Sequence, residues 1–134
     1  MTHPRVAAAL AAYPSLDALA DLIREDPGWR FITAVIGEEE CLYGMKEDPP
    51  VTETITLRSP EAVTVVRLRT EDSVVRRGRP VVLWEFTGEI REAIAALREL
   101  PPHGHPLAPK LLRPASLYCV GEFVLGGRSS DVDR

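Results

Sequence analysis

Apolar positions along this chain follow two rhythms. Leu16, Leu19, Leu22 and Ile23 recur at helical spacing, so residues 16–24 predict a helix with one buried stripe. Ser15 suits its N-cap and Asp17 its positive end. Alanine-rich residues 4–13 predict an earlier short helix, stopped by Pro14. "DPG" at 26–28 closes this helical region.

From Trp29 the period drops to two. Strands are predicted at 29–36, 41–46, 52–58, 63–70, 81–86 and 116–125, separated by "GEEE", Pro49-Pro50, "SPEA" and the Arg76–Arg79 turn. "VVLWEF" at 81–86 is apolar on both faces, as in a central strand covered on both sides. Helical spacing returns after Thr87, where Ile90, Ala93, Ile94, Leu97 and Leu100 form a stripe over 88–100 that Pro101-Pro102 ends. The pattern predicts an α+β fold: a mixed, mainly antiparallel sheet of five to six strands, with two N-terminal helices and the helix 88–100 packed on one face. Strand 81–86, that helix and strand 116–125 would form a right-handed parallel crossover. Residues 1–134 read as a single domain, with 126–134 a frayed polar tail.

Strand parity supplies the candidate surface. Side chains alternate faces along a strand. With the more apolar sets placed beneath the helices, the other face gathers Val63, Val65, Val81, Leu83, Tyr118 and Val120 around Arg67, Arg69, Glu85 and Glu122. An apolar sheet with embedded opposite charges suits a protein-binding face. It also suits a ligand cup in which Glu85 or Glu122 serves as acid or base and Arg67 or Arg69 as an anion clamp. The alternative is that these charges pair with one another and face water.

Composition then removes function classes. The net charge is −4, against an electrostatic nucleic-acid or anionic-membrane binder. No apolar run is long enough to span a membrane, and the run Val6 to Ala12 is too short and alanine-rich for a secretory signal. With only Cys41 and Cys119 there is no disulfide framework, so a cytoplasmic protein is expected. There is no Asn or Gln, so a polar site must use charges, hydroxyls, histidines or backbone.

Few motifs remain. Arg76, Arg77 and Arg79 form the densest positive charge and could contact an anion or an acidic partner; no aromatics interleave them for base stacking. Glu38 to Glu40, with Glu47 and Asp48, lack calcium-loop spacing and read as solvated turns. His103 and His105 sit in "LPPHGHPLAPKLLRP", where five prolines between 101 and 114 stiffen a long connection that could form the lip of a binding surface. With only Cys119 and Glu122 near them in sequence, no metal site and no cofactor is expected. No nucleophile or phosphate-loop motif occurs. The expectation is a small non-catalytic binding protein of an immunity, chaperone or regulatory-accessory kind. It would engage a protein partner, or itself, through the amphipathic face. A small ligand or a hydrolase-type reaction in the same cup is the alternative.

Overall fold

The computed structural model describes residues 16–36, 38–73 and 81–115. In chain order these form α1 (Asp17–Glu25), β1 (Arg30–Ile36), β2 (Glu39–Asp48), β3 (Val51–Ser59), β4 (Ala62–Arg69), a 3-10 turn (Thr70–Asp72), β5 (Val81–Val82), β6 (Trp84–Gly88), α2 (Ile90–Glu99) and β7 (Arg113–Pro114). The main sheet runs β1-β2-β3-β4-β6, with every pair antiparallel, and β5 and β7 form a small antiparallel ribbon. The fold is α+β. The expected helix at 4–13, the strand at 116–125 and the tail at 126–134 lie outside the described residues, so the parallel crossover does too.

The helices form as their spacing requires. Leu16, Leu19 and Leu22 of the first and Ile90, Ala93, Ile94 and Leu97 of the second are buried together over Phe31, Leu42, Ile55, Val63 and Val65. Salt bridges join the helices at both ends, Asp17 with Arg91 at 3.4 Å and Glu25 with Arg98 at 2.7 Å. The two helices therefore lie side by side and point the same way. Leu16, with no side-chain cap, stands at the N-cap of α1 where Ser15 was expected. Glu89 caps α2: one carboxylate oxygen accepts from the N–H groups of Arg91 and Glu92, while Glu92 accepts from the Glu89 N–H. Glu89 thus lies at the N-cap, where the chain is still extended.

Two strand boundaries differ from expectation. β2 extends from Glu39 to Asp48, so Glu39, Glu40, Glu47 and Asp48 are strand residues and not turns. Register explains this: Glu39 to Leu42 lie opposite Ile36 to Thr33, and Glu47 and Asp48 lie opposite Thr52 and Val51. The run 81–86 is divided at Leu83. Val81 and Val82 pair with Pro114 and Arg113, whereas Trp84 begins the strand bonded to β4. Its two ends consequently serve different layers. Trp84 and Phe86 pack under the helices, and Val82 joins Val66, Leu68 and Ala115 in a second small core on the far face.

Candidate functional site

Register fixes which side chains share a face, and it reverses the expected assignment for β4. Val65 lies opposite Phe86, and Arg67 opposite Trp84. Val63, Val65 and Arg67 therefore face the helices, while Thr64, Val66 and Leu68 face away. Glu85 lies opposite Val66 and so projects from the far side. Arg67 and Glu85 thus stand on opposite faces of the sheet, so the expected surface does not hold these two together. Arg69 lies opposite Val51 at the strand end, where its guanidinium donates to Asp72, Nε to Oδ2 at 2.7 Å and Nη2 to Oδ1 at 3.3 Å. This contact raises the pKa of Arg69 further. Tyr118, Glu122, Arg76, Arg77 and Arg79 lie outside the described residues.

A different charged group emerges on the helix side. Lys46, Glu53, Arg67 and Trp84 lie in one cross-strand row over β2, β3, β4 and β6. Arg67 is only 4% exposed. Its Nη2 and Nε donate to Glu53 Oε2 at 2.7 and 3.1 Å, and its Nη1 donates to the Pro101 carbonyl at 2.7 Å. A buried arginine is tolerable only when paired and hydrogen-bonded in this way. At the end of the row Lys46 Nζ donates to Asp26 Oδ2 at 2.6 Å. That bond lowers the pKa of Asp26, helped by the Gly28 N–H and opposed by burial. The same bond raises the pKa of Lys46, with partial burial again opposing and the charges of Asp26, Glu53 and Asp48 assisting.

Both signs were readable in phase but not in space. Glu53 shares parity with Ile55 and Leu57, and Arg67 with Val63 and Val65. An acid and a base, each on an apolar face of adjacent strands, signal a buried pair. Two clefts flank the row. One of about 270 Å³ is lined by Lys46, Pro49, Pro50, Glu53, Arg67 and His103, among others. The other, about 230 Å³, lies between Trp29, Leu97, Arg98 and the same charges. Both fall below the usual size of small-molecule sites.

The row's clearest structural effect is on the segment after α2. Pro101-Pro102 cannot continue a helix, and Arg67 holds the first of these carbonyls. Two backbone turns follow, His105 N–H to the Pro102 carbonyl at 3.0 Å and Ala108 N–H to the His105 carbonyl at 2.9 Å. Gly104, with φ of +95°, supplies the left-handed residue between the histidines. His105 Nδ1 accepts from the Leu107 N–H at 3.0 Å, a local turn contact. Among the described residues no three His, Cys, Asp or Glu side chains gather as a metal-binding group. Ala108 is buried, and Ala115 is buried in the far-side core next to the β5–β7 ribbon.

Between these anchors, large apolar side chains face solvent. Leu107 is 77% and Leu111 84% exposed, with Leu112 also exposed and Lys110 and Arg113 beside them. Compared with models of known protein families, with curated proteins and with solved structures, the chain matches none.

Proposed function

We propose that this chain is a non-catalytic binding protein, of an immunity, chaperone or regulatory-accessory kind, that grips a protein partner with residues 101–115. The observation that carries this reading is the exposure of Leu107 and Leu111 on a segment fastened at Pro101, Ala108 and Ala115. A flexible loop would lose much of any binding energy to ordering; a fastened one does not. Each leucine buried by a partner contributes about 1.5–3 kcal/mol. Lys110 and Arg113 beside them favour a partner surface that is apolar and acidic. The binding surface thus moves from the sheet face to the connection that Arg67 holds.

A photo-crosslinking residue at position 111, introduced in the native host, tests this. Crosslinks from position 111 to one acidic protein, lost on Leu107→Glu with the fold intact, are the expected result. No protein crosslinked from position 111, or crosslinks that Leu107→Glu leaves unchanged, would overturn it.

The charged lining of the cleft between the Pro49-Pro50 turn and His103 favours a second reading, a polar ligand smaller than most small-molecule ligands, held near Lys46 and Arg67. Native mass spectrometry of protein taken from its host would show a retained small molecule if this holds.

A further inference from the structure

Among the described residues β1 is an outer strand of the main sheet, and its own sequence lacks the devices that usually protect such an edge. Natural sheets blunt their edges with proline, lysine, inward charges or bulges. β1 reads RFITAVI, with no proline, no lysine and its one charge at the first position. Its register with β2 runs unbroken from Arg30 opposite Met45 to Ile36 opposite Glu39, so no bulge twists it away. Two large apolar side chains stand out from it, Ile32 at 49% and Val35 at 57% exposure.

We propose that β1 pairs antiparallel with β1 of a second copy of this chain, joining two sheets into one across a two-fold axis. The edge is complementary to itself. Arg30 begins the strand, its exposed guanidinium resting on Glu47 of the same chain at 3.1 Å, and the exposed Glu38 follows the strand's end. An antiparallel pairing centred on Thr33 sets Arg30 of one copy opposite Ile36 of the other and places Glu38 on the diagonal, so Arg30 gains a second acidic neighbour at each end of the pairing. A parallel pairing would set Arg30 against Arg30 and Glu38 against Glu38, which costs energy in both places. The same antiparallel register lays Val35 of one copy opposite Phe31 of the other on the helix side of the sheet. An exposed aliphatic side chain then meets an aromatic one, a favourable cross-strand pair. Such an interface is isologous and closes at two copies. It uses neither residues 101–115 nor their partner, so it goes beyond the function proposed above.

Sedimentation velocity of the full 134-residue chain over a range of concentrations tests the proposal. A concentration-dependent monomer–dimer equilibrium is expected. Val35→Lys, at an exposed position, should shift its midpoint at least tenfold toward higher concentration. Thr33→Cys, opposite itself in the proposed register, should give a reducible crosslinked dimer on mild oxidation. Leu111→Glu should leave the dimer unchanged, which separates this surface from the loop. A wild-type chain monomeric at every concentration would overturn the proposal. So would a dimer that Val35→Lys does not weaken and Thr33→Cys does not crosslink.

Discussion

The guanidinium of Arg67 closes on one carboxylate oxygen of Glu53, with Nη2 at 2.7 Å and Nε at 3.1 Å, beneath the end of the helix layer. Their side chains are only 5% and 14% exposed. Breaking a buried pair strands the remaining charge, which costs about 3–5 kcal/mol. Arg67→Met should lower stability by that amount. Adding Glu53→Leu should recover most of the loss, since an apolar pair replaces a buried ionic one nearly neutrally. Urea unfolding of the wild type, the single variant and the double variant reads both effects. A single-variant loss under about 1 kcal/mol would show the pair to be well solvated.

The Asp26–Lys46 pair predicts the pH dependence. Asp26 titrates below its ordinary 3.8, so its contribution is complete above that value and is lost as pH falls through the lowered one. Lys46 titrates above its ordinary 10.5, so its contribution is complete below that value and is lost as pH rises through the raised one. Between these limits the pair's contribution is flat. Asp26→Asn should remove this pair's part of the acid-limb decline, leaving a shallower fall in the urea midpoint below pH 4. An acid limb with unchanged slope would assign the decline to other carboxylates.

Gly44 lies opposite Phe31, and its missing side chain is where the ring rests. A Cβ at this position would come within 2.3 Å of the ring. The ring is buried in the core with the Trp29 ring 6.2 Å away, so a shift must disturb its neighbours. Gly44→Ala should therefore destabilise by about 1–3 kcal/mol, the usual cost of overpacking. Thermal unfolding checks it; a neutral variant would mean that the ring has somewhere to go.

The carboxylate at the start of α2 makes a reciprocal cap with Glu92. Glu89→Ala should cost about 1 kcal/mol, as loss of an N-cap usually does. Glu89→Asp or Glu89→Ser, which can cap in a similar way, should cost less. The order of their melting temperatures is the measurement.

The leucines of the two layers should behave oppositely. Leu111→Ser, at an exposed position, should change stability by less than about 0.5 kcal/mol. Leu19→Ala, at a fully buried one, should cost about 2–5 kcal/mol. Chemical denaturation of both variants compares them directly. Equal losses would place Leu111 in the core.

Periodicity located both described helices and the first four strands, because Leu16, Leu19 and Leu22, or Ile55 and Leu57, repeat at intervals that only one backbone shape satisfies. It failed where both faces of a strand are apolar. In β4, counting apolar groups favours Val66 and Leu68 as the helix side over Val63, Val65 and Arg67. The fold chooses otherwise, because Glu53 on the next strand and the Pro101 carbonyl satisfy the arginine. A partner contributed by another strand is invisible to a rule that reads one strand at a time. The break at Leu83 was hidden for a related reason. "VVLWEF" carries no glycine or proline, and what divides it is that the small ribbon pairs with one end and the main sheet with the other. That the loop is not helical was legible in its prolines. What it presents to solvent was not, since nothing in "LAPKLL" alone tells a leucine that faces outward from one tucked beneath.

The order of the main sheet carries a kinetic meaning. Among the described residues, β1, β2, β3 and β4 each lie beside the next strand in sequence, while β6 joins β4 across residues 70–83. Little chain entropy is spent in closing such brief connections. The hairpins can zip one after another, and topology of this kind favours rapid collapse to the native register over a slow search among distant pairings.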